Sequence, residues 1–444
     1  MKSSSRAMLE AVLAESLAAV HGGRAVLQSV KSLAPGEIEI GGRLVPPSAG
    51  FWVAALGKAA VSMAEAFAST VGDRLRGGWA ITGDAYSRPL PSPFILRQSG
   101  HPVPDQRGEA AAAGLIDWVA RLPEEDVLVV LLSGGASAMT SLPAPGLGLS
   151  ELIETTRLLL ASGADIHSMN AVRKHCSGIA GGRLGRAASC HRVELLALSD
   201  VPGDALPTIG SGPCTGDPTT FSDALAGVEQ FGLAARLPSG VLAYLEAGNR
   251  GEVPESPGPG DPSLAKVRPG IVARNADARR CAIKAAEARG ERALDLGEIL
   301  TGEARTMGRR LAAMAGSVRI NEPILLVAGG ETVVTVRGSG RGGRSQELAL
   351  AAALEWERSG AGRGMAMLAV GTDGADGPTD AAGAIVESGK GALGAASREY
   401  AQARLDENDS YGFFAQTGGL VRTGATDTNV MDLVLIRLDG SPHA

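Results

Sequence analysis

Three kinds of residue in this sequence could do chemistry: glycine turns flanked by hydroxyls, cations at helix starts, and aspartates bunched in loops. The first is Ser133-Gly134-Gly135-Ala136-Ser137-Ala138, which follows the apolar run Val127 to Leu132. Small residues there let backbone N–H groups approach an oxyanion, and Ser133 and Ser137 add hydroxyl donors. A strand that ends in such a loop is where open α/β sheets bind ligands. A plain strand-to-loop turn needs the same glycines and binds nothing. The chain repeats the pattern at 323–334, where another apolar run enters Gly329-Gly330-Glu331-Thr332.

The cations come next. Lys58 follows Gly57, between an apolar run (51–56) and a helical pattern (59–71). A helix start attracts anions, and a lysine there adds a full charge; a solvated first-turn lysine is the plain alternative. Arg341 and Arg344 stand in a glycine-rich loop that opens the long helical pattern running to 357. That arrangement suits phosphate, with a solvated arginine loop as the alternative. The loop spells G-x-G-x-G-G, which is not a Walker A motif, and no acid follows at a downstream strand end as a dinucleotide site would want. The stretch 163–188 carries His167, Asn170, Arg173, Lys174, His175, Arg183 and Arg186. These could hold anions or form an ordinary solvated basic helix. His101 lies in a Gly-His-Pro loop, where a histidine is structural, exposed or functional.

The carboxylates fall in two places. Asp373, Asp376 and Asp380 occupy eight residues of a glycine-spaced loop. So close a set needs a cation, a proton or solvent to offset repulsion, and the EF-hand spacing fails for want of the Glu at position 12. Asp200 and Asp204 follow the apolar run that starts at Val193, a placement that suits Mg²⁺.

The elements that must hold these residues read as α/β. At 444 residues two domains are expected. Helical patterns cover 5–20, 59–71, 106–121 and 149–161, with another from Phe221, and strands are expected at 51–56, 79–82, 127–132 and from 193. The segment 248–263, with four prolines, reads as a linker or long loop. Beyond it a strand near 270–273, helices at 276–290 and 301–315, and strands at 291–296, 323–328, 332–337, 367–370 and 432–438 are expected. The boundaries drawn are 1–248, a linker at 249–266, and 267–444.

Composition excludes several function classes. The 61 glycines and 3% aromatic residues fit a loop-rich α/β protein. A net charge of −6 without a basic block leaves no electrostatic footprint for nucleic acid. No apolar run reaches membrane-spanning length, so no membrane is expected. Glu10 and Glu15 mark the N-terminal stretch as an amphipathic helix rather than a signal peptide. The four cysteines lack C-x-x-C spacing, so neither zinc nor a disulfide framework is suggested, and the cytoplasm is expected.

SGHPVPD, LSGGASA, GADIHSMNAVRK, LSDVPGD, SGPCTGDPTTF, GRGGRSQE, GTDGADGPTDAAGA and TDTNVMDL occur in this order. Together they resemble the class II glycerate 2-kinases, whose C-terminal part is called the MOFRL domain and whose members often carry the label hydroxypyruvate reductase. The resemblance spans about residues 7 to 438. It implies a Rossmann-like N-terminal α/β domain, a C-terminal MOFRL-type α/β domain, and an active site in the cleft between them. It also implies transfer of the γ-phosphoryl of ATP to the 2-hydroxyl of D-glycerate with a divalent metal, Mg²⁺, giving 2-phosphoglycerate and ADP. The family's essential lysine falls on Lys58 and its essential arginine on Arg344. This chain departs from the pattern in places: Ser345 stands for an Asn, Met431 for a frequent Asn, Cys176 for an apolar residue, Gly178 for an Arg and Ala180 for a Lys. The last two thin the positive charge beside Arg173 and Lys174.

On this reading Lys58, Arg344, Asp200 and Asp373 are the catalytic candidates. Ser133, Gly134, Gly135, Ser137, Asn170, Lys174 and Asp380 are expected to bind the nucleotide. Asp200, Asp373 and Asp380 are expected to hold the metal, one of them taking the hydroxyl proton. Arg173 or Lys174 could meet the substrate carboxylate. The expected partners are D-glycerate and ATP, with a homodimer left open. Two alternatives stand beside it: an NAD(P)H-dependent hydroxypyruvate reductase, and a binding protein without turnover.

Overall fold

The computed structural model describes residues 4–34, 36–163, 165–360, 364–388, 393–394 and 396–440. Contacts divide the chain into two compact units. Gly22–Ser199 and Asp204–Val272 form one; the residues up to His21, Asp200–Gly203 and those from Ala273 onward form the other.

The first unit begins with a small antiparallel sheet of β1 (Val30–Ala34), β2 (Glu37–Ile40) and β3 (Arg43–Val45). Its main sheet contains β4 (Phe51–Leu56), β5 (Leu75–Gly83), β6 (Phe94–Ser99), β7 (Val127–Leu132), β8 (Arg192–Leu198) and β9 (Val267–Ala273). Among the described residues the order is β6-β5-β4-β7-β8-β9, with the pairs β4–β5, β5–β6, β4–β7 and β7–β8 parallel. All six residues of β7 are buried, which is why its sequence is a continuous apolar run rather than an alternating one. The order is that of a doubly wound nucleotide-binding sheet, numbered along the chain 3-2-1-4-5-6. The chain steps outward from β4 to β6 and then returns to the other side of β4. At that reversal Leu56 of β4 lies in register with Leu132 of β7. The two turns singled out in the sequence, Gly57-Lys58 and Ser133-Gly134, therefore leave the sheet side by side, where such sheets bind ligands.

The strand expected to open the second half is β9, an edge of this first sheet. The proline-rich stretch before it is fastened to the same unit: the Asp217 N–H donates to Pro257 O at 2.8 Å, and Ser256 Oγ donates to the Asp217 carboxylate.

The second unit holds a mixed sheet of β10 (Arg292–Leu300), β11 (Ile324–Gly330), β12 (Met365–Gly371), β13 (Gly383–Glu387), β14 (Leu420–Val421) and β15 (Asp432–Leu438). Its order is β10-β11-β15-β12-β13-β14. The β10–β11 pair is parallel, and β15 runs antiparallel to both β11 and β12. The N-terminal helix Ser5–Ala19 packs here rather than on the first unit. Its apolar face of Met8, Leu9, Val12 and Leu13 is buried with Ala282, Ala285, Leu433 and Leu435.

The strand expected at 332–337 is not formed. Only Val333 makes a bridge, to Glu303, and Val333 and Val336 are exposed. The N–H groups of Arg337 and Gly338 donate to the Asn408 side chain instead of to a neighbouring strand. The alternation in the sequence has no partner edge to pair with. No helix among the described residues is long and apolar enough to cross a membrane.

Candidate active site

In the first unit the two turns are stitched together. Gly57 has φ +108°, and a Cβ there would lie 2.4 Å from Ser133 O, so only glycine fits. The Lys58 N–H donates to Gly134 O at 3.0 Å. Ser133 is fully buried; its hydroxyl donates to Leu56 O at 3.1 Å and accepts from the Ala59 N–H at 3.0 Å. Ser133 was expected as a phosphate donor, but its hydroxyl is already engaged on both sides and positions Lys58 instead. Lys58 is 8% exposed, with its ammonium 5.9 Å from the centre of the Tyr86 ring.

Gly135, at φ +82°, opens the short helix Ala136–Met139. A Cβ on Gly135 would come within 3.0 Å of His101 Nε2, so the imidazole lies across the glycine turn. That places His101 at the loop that the sequence could not connect it to. Ser137 Oγ and Ser211 Oγ are hydrogen-bonded at 2.8 Å.

Asn170, Arg173 and Lys174 lie on the helix Ile166–His175, which Asp165 caps. Lys174 does not reach a ligand site. It is buried and paired with Asp217 at 3.2 Å. Burial raises the Asp217 pKa, but hydrogen bonds from Thr219 and the Lys174 charge outweigh it and hold the carboxyl below its usual range. Removing one member of so buried a pair leaves the other uncompensated, so Lys174 serves the fold. Arg173 is turned about 100° from it around the helix and lines a cavity of about 80 Å³ together with Ser137 and Ser211. Asn170, three residues earlier, shares the Arg173 face.

In the second unit the centre is Arg344, the first residue of the helix Arg344–Ser359. Its Nε and Nη2 grip the two oxygens of Asp432 at 2.7 and 2.9 Å, and Nη1 donates to Glu331. A guanidinium has five N–H donors, so two remain for another acceptor. Burial alone would lower the Arg344 pKa; Asp432 and Glu331 hold it raised. Burial pushes the Asp432 carboxyl up to about 6, Arg344 opposing and Glu331 and Asp373 adding to it. The helix start expected to take phosphate is filled by the protein itself. Asp376 accepts from the N–H groups of Ser345 and Gln346 at 3.0 and 2.8 Å, the role of a capping side chain.

The three aspartates expected to hold a metal are not brought together. Asp380 is exposed and accepts from Tyr411 Oη at 2.8 Å and Arg422 Nε at 3.0 Å. Asp373 accepts from the Ala375 N–H at 3.0 Å. Asp200 accepts from Asn429 Nδ2 at 3.3 Å. Among the described residues no three histidine, cysteine, aspartate or glutamate side chains converge as a metal site.

Two family models match the chain: a domain described as of unknown function, DUF4147, over residues 8–246, and the MOFRL family over 324–432. The D-glycerate 2-kinase of Thermotoga maritima is 37% identical over 386 residues, covering 86% of this chain and 89% of that protein. The glycerate 2-kinase of Pyrococcus horikoshii is 36% identical over 436 residues, covering 96% and 95%. The chain belongs to the class II glycerate 2-kinase family. A crystal structure of a glycerate kinase from Thermotoga maritima shares its fold, with a TM-score of 0.80, 34% identity, and coverage of 97% of this chain and 98% of that one.

For a glycerate 2-kinase the residues that sequence reasoning passed over are Glu331, Asp432 and the capping role of Asp376. Glu331 had a signal, since it follows the second glycine turn. Asp432 had only its place in TDTNVMDL.

The cap gives a pH prediction. Burial pushes Asp376 up to about 7, the Asp432 charge adding to it while the Gln346 and Ser345 N–H groups oppose. An unfolded aspartate titrates near 3.9. Below about pH 4 both states are protonated. Between about 4 and 7 only the folded state keeps the proton, so stability falls as pH rises through that window. The melting curve of the wild type should therefore decline relative to that of Asp376→Asn from pH 4 to 7. Parallel curves would show that Asp376 titrates as it does in the unfolded chain.

Proposed function

We propose that this chain phosphorylates D-glycerate at the 2-hydroxyl with ATP, releasing 2-phosphoglycerate and ADP. The likeness to glycerate 2-kinases along nearly the whole chain carries the reading, and Lys58 and Arg344 give it chemistry. Phosphoryl transfer asks for positioning and charge neutralisation more than for covalent help. Lys58, Gly134, Gly135 and Ser137 stand at the sheet's reversal point and are the proposed phosphate contacts. The two unused Arg344 N–H groups are proposed to meet charge that builds on the transferring group.

Among the described residues no three acidic, histidine or cysteine side chains converge to hold a metal unaided, so a divalent cation here would take most of its ligands from the nucleotide. One guanidinium faces Glu331, Asp376 and Asp432, and Asp373 acts on Asp432 in turn. Mg²⁺ at a nucleotide needs only one or two protein carboxylates beside the phosphates. We assign that part to Asp373 and Asp200, one of which accepts the hydroxyl proton. When bound, the ion would neutralise phosphate charge. No disulfide joins the cysteines among the described residues, in keeping with a reducing cytoplasm.

With Mg-ATP and D-glycerate the protein should release ADP, and phosphorus NMR should identify the product as 2- rather than 3-phosphoglycerate. No ADP above background, together with fast NADH oxidation by hydroxypyruvate, would overturn the reading in favour of a reductase.

A further inference from the structure

The cavity beside Ser137 has two polar groups in its wall with nothing to bind. Arg173 is the one charged residue among those that line it. Among the described residues its guanidinium has no hydrogen-bond or ion-pair partner, and burial holds its pKa below the ordinary value with no charge to offset it. Thr155 lines the same cavity, is 2% exposed, and its Oγ1 also lacks a partner. Buried polar groups are nearly always satisfied, and a desolvated cation without a counter-charge is costly. The buried Thr155 hydroxyl and the partly exposed Arg173 guanidinium on one small cavity fit a ligand with one negative charge and a hydrogen-bonding oxygen.

The size and charge of the cavity choose between ligands. At about 80 Å³ it falls well below the roughly 300–1,000 Å³ of pockets for larger ligands. A triphosphate would also want more than one cation. A carboxylate matches the planar fork of a single guanidinium. The Ser137–Ser211 hydroxyl pair forms another part of the wall, so a ligand held by Arg173 extends toward the glycine turn that carries Gly134 and Gly135.

We propose that this cavity is the acceptor subsite, in which Arg173 anchors the carboxylate of a small hydroxy acid and Thr155 hydrogen-bonds one of its oxygens. Naming the acid as D-glycerate rests on the kinase reading above. The geometry also separates Arg173 from Lys174, which its pairing with Asp217 removes from this role.

The test combines kinetics, varying D-glycerate and Mg-ATP separately, with calorimetric binding of each ligand. Arg173→Ala should raise both KM and Kd for D-glycerate by about 10²-fold, as expected for truncating a buried partner of a charge pair. Arg173→Lys, which keeps the charge without the fork, should raise them about 10-fold. The KM for Mg-ATP should stay within about 2-fold, since Arg173 is not assigned to the nucleotide. The preference for D-glycerate over uncharged glycerol should fall with the first variant. Thr155→Val should weaken D-glycerate several-fold without lowering Tm, because it removes an unsatisfied hydroxyl. A folded Arg173→Ala enzyme with unchanged D-glycerate affinity overturns the proposal, as does a loss confined to Mg-ATP. A wild type that binds D-glycerate yet releases no ADP ends the kinase reading alone, and the binding data still decide the subsite. A wild type that does neither ends both.

Discussion

Arg344→Lys should lower kcat by about 10³-fold, with the KM for each substrate near its wild-type value. The size of the effect follows from how the side chain is held. Asp432 grips it with two parallel hydrogen bonds and Glu331 with a third. Those contacts fix the plane of the guanidinium and leave two N–H donors oriented in advance. A donor that needs no reorganisation stabilises developing charge far better than one that must first be gathered in. Lysine keeps the charge but cannot satisfy both carboxylates and still present a rigid fork. Arg344→Ala is a poorer test. Asp432 is buried, and stripping a buried carboxylate of its partner costs about 3–5 kcal/mol, so lost activity would be mixed with lost stability. The lysine variant should be compared with the wild type by single-turnover ADP formation at saturating substrates and by Tm. Wild-type turnover in a folded Arg344→Lys enzyme would remove Arg344 from the chemistry and leave it as the clasp of β11, β15 and its own helix.

Local pattern made much of this molecule legible. The apolar run of β7 announced a strand covered on both faces, and Gly57-Lys58 and the Ser133 loop announced turns. Their adjacency follows from strand order, which no local window contains. The residues hardest to read were those whose role depends on a distant partner. Lys174 looked like an anion ligand because it sits in a basic stretch, yet Asp217, 43 residues on, absorbs it. Asp376 read only as one of three clustered carboxylates needing a cation, a proton or solvent, yet it caps a helix that begins 32 residues before it in the chain, bonding the Ser345 and Gln346 N–H groups. Asp432 was hidden because its partner Arg344 lies 88 residues away. The stretch 332–337 shows the reverse error: its alternation is that of a strand, but β-propensity reports how a side chain packs on a pleated surface, and that surface is missing there. Arg173 and Lys174 make the point within one helix. Adjacent in sequence and alike in charge, they face different ways, and only the fold says which one is already paired.

Lys58→Met should lower kcat by about 10³-fold while leaving Tm close to that of the wild type. Groups other than the ammonium hold the backbone around Lys58. Gly57 supplies the positive φ, the Lys58 N–H holds Gly134 O, and the Ser133 hydroxyl locks the turn to Leu56 and Ala59. Replacing the side chain therefore leaves the connection between β4 and its helix in place. What is lost is a positive charge, only 8% exposed, at the point where the sheet reverses its strand order. In so dry a place a charge acts on a phosphate with far less screening than at the surface. Lys58→Arg separates charge from shape. It retains the cation, but the larger planar group must fit where the ammonium lies near the Tyr86 ring, so activity should still fall by about 10-fold or more. The decisive comparison is with Ser133→Ala. That change removes the lock and not the charge, so it should lower Tm and reduce kcat less than Lys58→Met does. If Ser133→Ala proved as damaging to kcat as Lys58→Met while Tm held, the hydroxyl rather than the ammonium would be the group that meets the phosphate, and Lys58 would be the residue that positions it.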